Sequence, residues 1–124
     1  HQYNAFSCHT PVQVAMASFL KEKGHYLSLP AFMQEKRDHF RLLMSGTRFR
    51  PLPSYGSYFQ VYSYAGISDI PDFEFARELI ARHGVGAIPV SAFYRNGKDD
   101  KVLRFCFAKK KETLEEAVGR LVKV

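Results

Sequence analysis

A chain of 124 residues is at most one domain by length, and at that size about two-thirds of the surface is buried on folding, enough for a core without disulfide or metal staples. Hydrophobic residues at 46% and aromatics at 15%, against 24% charged, exclude a disordered tail, a low-complexity segment and a collagen-like repeat. Eighteen Lys and Arg against 12 Asp and Glu leave a formal charge of +6, which favours anionic partners such as nucleic acid, phosphates or carboxylates without choosing among them.

No apolar run approaches the ~20 residues that span a bilayer, and the opening HQYNAFSCHT has neither the charged nor the apolar region of a signal peptide. The expectation is a soluble cytoplasmic protein, with no membrane partner. Cys8 and Cys106 are too few and too far apart for a disulfide framework, so both are expected as reduced thiols. The chain opens on His1 and not on Met, which points to processing or to a piece of a longer chain.

The first element expected is a helix opening at the capping box Thr10-Pro11-Val12-Gln13 and stopping at Gly24. Val12, Ala15, Met16, Phe19 and Leu20 form its apolar stripe. Lying ahead of the compact part, this stripe is expected to pack on material outside the chain. A second helix is expected from a Ser28 cap through Pro30 to Gly46, with Leu29, Phe32, Met33, Phe40, Leu43 and Met44 inward and Lys36 and Arg37 interrupting the stripe.

A third helix is expected between Pro71 and Gly84 with Phe75, Ala76, Leu79 and Ile80 inward. A fourth opens at the capping box Thr113-Leu114-Glu115-Glu116 and buries Leu114, Ala117, Val118, Leu121 and Val122. Strand-like runs fall at Tyr58 to Tyr64, Gly86 to Val90 and Val102 to Phe107, the last preceded by a turn at Asn96-Gly97. That order specifies an α+β fold: two layers, helices on one face of a small, mostly antiparallel sheet.

Arg104 is the most informative residue, because it interrupts the apolar strand Val102-Leu103-Arg104-Phe105-Cys106-Phe107. Alternation sets it on one face with Val102 and Cys106, and Leu103, Phe105 and Phe107 on the other. A guanidinium among apolar neighbours needs a partner, and its planar fork suits a carboxylate or a phosphate. On the pattern alone, an ion pair inside the domain is the commoner outcome.

Ala87-Ile88-Pro89-Val90-Ser91-Ala92-Phe93 reads as a strand that Pro forces out of the sheet, leaving small residues where a ligand or a backbone can approach; a plain strand exit is the simpler reading. Gly56 in Ser54-Tyr55-Gly56-Ser57-Tyr58-Phe59 reads as a turn before an aromatic strand. The five histidines have no metal-ligand spacing, Cys8 and His9 are adjacent and point apart, and no glycine-rich phosphate loop is present. Lys109-Lys110-Lys111 reads as a solvated charge run.

Five stretches in order, His1-Gln2-Tyr3-Asn4-Ala5-Phe6, Thr10-Pro11-Val12-Gln13, Gly56-Ser57-Tyr58-Phe59, Ala87-Ile88-Pro89-Val90-Ser91-Ala92-Phe93 and Leu103-Arg104-Phe105-Cys106-Phe107-Ala108, resemble the C-terminal third of class I aminotransferases of the kynurenine and methionine type. These are fold-type I pyridoxal phosphate enzymes. The resemblance implies a connecting segment and helix over residues 1–27 and an aminotransferase small domain over 28–124. It implies that Arg104 grips the α-carboxylate of an amino-acid substrate, that Phe59 lines the side-chain pocket, and that Phe6 reaches the active site of a partner subunit in a homodimer. Val90 stands where the family often has glycine.

The family's Schiff-base lysine, its phosphate loop and the aspartate for the pyridinium nitrogen all precede the matched stretch. The chain is therefore expected to hold no catalytic, cofactor-binding or metal residue of its own and to be inactive alone, as part of an enzyme passing an amino group from an amino acid to a 2-oxo acid. Two other readings stay open. In one, a basic module holds single-stranded nucleic acid through Lys109 to Lys111 and Tyr58, Tyr62 and Tyr64; in the other, a free-standing domain senses amino acids through Arg104.

Overall fold

The computed structural model describes residues 3–124, so His1 and Gln2, the start of the first resemblance motif, lie outside the described residues. The chain divides into two units, one ending at Phe32 and the other spanning Met33–Val124.

The first unit carries α1 (Thr10–Phe19) and the short α2 (Gly24–Leu27). The expected Thr10 capping box does not form. Val12 and Gln13 both donate their N–H groups to the His9 carbonyl, so the helix starts one residue early, and the Gln13 amide turns back to the Cys8 carbonyl at 3.2 Å. Nor does the helix run to Gly24: α1 ends at Phe19, and Gly24 opens α2. Phe19 stacks on His25, ring centroids 5.2 Å apart. Neither helix contains a buried residue, and Val12, Met16, Phe19 and Leu20 are exposed.

Helix α3 (Leu29–Met44) begins where Phe32 donates its N–H to the Ser28 carbonyl, although the Ser28 hydroxyl donates to the Gly24 carbonyl and caps nothing. Its core contribution is Phe40 and Met44, with Met33 and Leu43 packed at the margin, whereas Leu29 and Phe32 are exposed. The two cations that break its stripe are used for docking: Lys36 Nζ donates to the Lys109 carbonyl at 2.7 Å and Arg37 to the Ser54 carbonyl at 3.4 Å. Their stems lie along the domain and their charged ends reach backbone oxygens.

The second unit is built on a four-stranded, entirely antiparallel sheet in the order β1 (Arg50–Pro51), β2 (Phe59–Ser63), β4 (Val102–Cys106), β3 (Ile88–Pro89). The two-residue β1 was not expected from the sequence, and of the run Gly86 to Val90 only Ile88 and Pro89 pair, with Val90–Phe93 forming a 3₁₀ turn. Both edge strands carry a proline, which lacks the N–H that would recruit a further strand.

Period-two alternation sends Gln60, Tyr62 and Tyr64 from the β2 run, and Leu103, Phe105 and Phe107 from the β4 run, to one face. There they meet Phe40 and Met44 of α3, Phe75, Ala76 and Leu79 of the helical segment that follows Pro71, and Leu114, Val118 and Leu121 of α5 (Lys111–Leu121). Phe105 meets Tyr62 edge to face at 5.9 Å, and Tyr64 stacks on Phe75 at 4.2 Å. The helical layer thus covers one sheet face, as the element order implies.

Two helices differ in detail. Helix α4 (Asp72–Glu78) passes into a π turn, Leu79–His83, closed by Gly84 in the left-handed region at φ 65°. The wider turn puts Leu79 in the core and rotates Ile80 out to 57% exposure, against the expected inward position. The Thr113 capping box is also absent: α5 starts at Lys111, Leu114 donates to the Lys110 carbonyl, and Glu116 pairs with Arg120 one turn on instead of reaching back. Val122, past the last turn, is exposed.

Candidate active site around Arg104

The sheet face opposite the helices carries Phe59 and Val61 from β2, Ile88 from β3 and Arg104 and Cys106 from β4. Register sets Arg104 across from Val61 on one side and from Ile88 on the other, and Phe59 across from Cys106. Arg104 is half-buried, and its guanidinium carbon lies 4.0 Å from the centre of the Phe59 ring and 4.5 Å from that of Phe93. Two aromatic faces therefore hold one planar cation.

The internal ion pair that pattern alone favours is absent: among the described residues no carboxylate pairs with Arg104, and its buried Nε has no hydrogen-bond partner. This geometry has a chemical consequence. The two rings strip water from the guanidinium without accepting hydrogen bonds from its N–H groups. The fork is left for an acceptor approaching edge-on, and a carboxylate is the group whose two oxygens match it.

Phe93 was not singled out by sequence reasoning, although it closes the motif that leaves the sheet at Pro89. Its place is set by a buried contact. Asp72, 2% exposed at the start of α4, accepts the Ser91 N–H at 2.9 Å and the Ser91 hydroxyl at 2.7 Å, tying down the 3₁₀ turn that bears Phe93. On the other side Phe59 is fixed by its strand and by a serine turn, its N–H donating to Ser57 Oγ and its carbonyl accepting from Ser54 Oγ. Gly56, at φ 65°, takes the left-handed conformation of that turn.

Phe6, in the unit ending at Phe32, is 90% exposed. Cys8 is exposed and Cys106 half-buried, both as free thiols. Among the described residues no three His, Cys, Asp or Glu side chains converge as metal ligands, and no helix is long and apolar enough to cross a membrane. The tyrosine platform proposed for nucleic acid is not available: Tyr62 and Tyr64 are 1% and 0% exposed because they point into the core, and only Tyr58 of the three faces solvent.

The family Aminotransferase class I and II matches residues 2–121. The chain belongs to that family. Among its aminotransferase relatives, methionine aminotransferase of Escherichia coli is 43% identical over 98% of this chain, and kynurenine–oxoglutarate transaminase 1 of Mus musculus is 36% identical over 98%. The structure of the E. coli methionine aminotransferase superposes on the whole of this chain with a TM-score of 0.92 at 42% identity. That of N-succinyldiaminopimelate aminotransferase from Mycobacterium tuberculosis covers 98% at 0.84 and 30% identity. The chain spans about a third of the length of these aminotransferases, 32% and 34% of the two relatives and 33% and 32% of the two structures.

Class I and II aminotransferases generally depend on pyridoxal phosphate. The residues around Arg104 do not fit that cofactor: the groups that close on it are two phenyl rings, which offer neither an amine for a Schiff base, nor donors for a phosphate, nor a carboxylate for a ring nitrogen. The lysine nearest in sequence on the strand side, Lys101, is committed elsewhere, donating to the Asp69 and Ile70 carbonyls.

Proposed function

We propose that this chain is the C-terminal part of a cytoplasmic, pyridoxal phosphate-dependent aminotransferase, with residues 1–27 a connecting segment and 28–124 the small domain. In that reading the enzyme moves an amino group from an amino acid to a 2-oxo acid, and the small domain binds the acid end of either substrate through Arg104. The observation that carries it is the Arg104 fork, held between Phe59 and Phe93 with no acidic partner among the described residues. A guanidinium left half-buried and unpaired is poor for stability alone and useful for recognising an anion.

The roles follow from position. Arg104 orients the substrate by its carboxylate; Phe59 and Phe93 keep water off the guanidinium and offer apolar surface to the substrate's side chain. An apolar or aromatic amino acid fits that lining, and the relatives named above act on methionine and kynurenine. Phe6, on an exposed leading segment, is assigned to the partner subunit's site in a homodimer. The cofactor supplies the electron sink of transamination, on residues outside this chain, so the 124-residue chain by itself is expected to be inactive.

The test is kinetic, in the full-length protein. Arg104→Ala is expected to raise KM and lower kcat/KM by roughly tenfold to a hundredfold, the loss of a charge-assisted fork worth about 1.5–3 kcal/mol. Arg104→Lys is expected to be similarly damaged, since an ammonium cannot present two parallel donors. Kinetics unchanged in both variants would assign Arg104 to structure and remove the substrate role.

A further inference from the structure

Away from Arg104, the end of α3, the following turn and β1 enclose a cleft of about 660 Å³ with three arginines on its rim: Arg41 in the last turn of α3, Arg48 in the turn and Arg50 on β1. No carboxylate is among the described residues that line it. Arg48 is partly used, donating to the Gly66 carbonyl at 2.7 Å and to the Val124 carbonyl at 3.4 Å, contacts that brace the wall. The Arg41 and Arg50 side chains make no hydrogen bond or ion pair among the described residues. Asp38, which faces Arg41 across one helical turn, is engaged by Gln34 and Arg37.

A second, independent feature points the same way. Tyr62 lines the cleft, is 1% exposed, and its buried hydroxyl has no hydrogen-bond partner. Buried hydroxyls without partners are rare in native proteins and call for an explanation. Its ring is wedged edge to face against Phe40 and Phe105, and the charge that acts on its hydroxyl is that of Arg41. Burial pushes the phenol up to about 12, and at neutral pH it is protonated, as an ordinary phenol is, and can donate. The group it lacks is an acceptor, and an acceptor arriving beside Arg41 and Arg50 would be an anion.

We infer that this cleft binds a small tetrahedral oxyanion, inorganic phosphate or a phosphate monoester, held by Arg41 and Arg50 with Tyr62 donating its hydroxyl. One opposing effect is small. The C-terminus of α3 points here with a partial charge of roughly −0.5, but three full positive charges face it. Its carbonyls are moreover covered: the Ser45 and Thr47 hydroxyls donate to the Leu42 and Met44 carbonyls at 2.6 and 2.7 Å. The site shares no lining residue with the Arg104 cluster, so it does not depend on the transaminase reading.

Inorganic phosphate titrated into the full chain at constant ionic strength, followed by calorimetry and by phosphorus NMR line broadening, tests this. Saturable one-site binding is expected. Arg41→Gln and Arg50→Gln, both at exposed positions, are expected to weaken it at least about tenfold each, the loss of a charge-assisted contact, whereas the remote Arg95→Gln leaves it unchanged. Tyr62→Phe should weaken it several-fold without loss of fold. A parallel arm with glycerol 3-phosphate separates the two sources: tighter binding than phosphate marks a phosphorylated metabolite, equal binding the free ion. Binding that chloride abolishes, that Arg41→Gln and Arg50→Gln leave intact, or that appears only with an oligonucleotide would overturn the inference.

Discussion

At the scale of single residues, Arg104 is a cation that lies over two aromatic rings and has no acidic partner among the described residues. The arrangement explains why an arginine can sit on a strand otherwise composed of Val, Leu, Phe and Cys: cation–π contact replaces the counter-ion that burial would normally require. Phe93 therefore deserves a role its sequence position does not advertise. In the full-length protein, Phe93→Ala is expected to raise the KM for the amino acid a few-fold, in line with about 0.5–2 kcal/mol for one cation–π face. Phe93→Tyr should retain wild-type KM. Since Phe93 is 58% exposed, its removal should leave the unfolding midpoint nearly unchanged. A KM unmoved by Phe93→Ala would show that Phe59 alone orients the guanidinium.

Elements matter here because they carry those residues to one place from distant parts of the chain. The 3₁₀ turn Val90–Phe93 is short and has little stability of its own; what fixes it is Asp72 at the head of α4, which takes both Ser91 donors and whose own N–H donates to Asp99 Oδ2 at 3.0 Å. Asp72→Ala leaves the buried Ser91 N–H without an acceptor, at an expected cost of about 1–3 kcal/mol. Because the same contact seats Phe93, a denaturant titration should show the loss of stability and the kinetics a raised KM together. Wild-type KM beside lowered stability would separate the turn from the site. Sequence reasoning placed a helix between Pro71 and Gly84 and did not single out Asp72. Its partner lies 19 residues away, and no local pattern announces such a contact. The capping boxes at Thr10 and Thr113 fail for a related reason, since in each case the helix begins earlier, with a carbonyl from His9 or Lys110 as the first acceptor.

For the molecule as a whole, the core holds two tyrosines that the titration of a loose chain would not protect. Burial pushes the Tyr62 phenol up to about 12 and raises that of Tyr64, where the Asp99 and Asp72 carboxylates add to the effect. The unfolded chain releases these protons near pH ~10 while the folded state retains them, so folding binds protons and stability falls as pH rises from about 10 towards 12 and beyond. Chemical denaturation across that window should show the decline, and Tyr62→Phe should make it shallower. An unchanged slope in that variant would place the titration elsewhere.

The α+β class, the three strands, the helical layer and the prominence of Arg104 all follow from periodicity, because an apolar stripe and a two-residue alternation each have only one way to face a core. The family resemblance rests likewise on local runs of residues. Tertiary structure alone decided the rest: that Arg104 has aromatic neighbours in place of an acidic one, that Ile80 turns outward through a π turn, that Pro51 lies on an edge strand, and that Tyr62, beside an arginine-lined cleft, has a buried hydroxyl without a partner. Each depends on which distant segments meet, and hydrogen bonds and ring contacts across such distances leave no period in the chain to read.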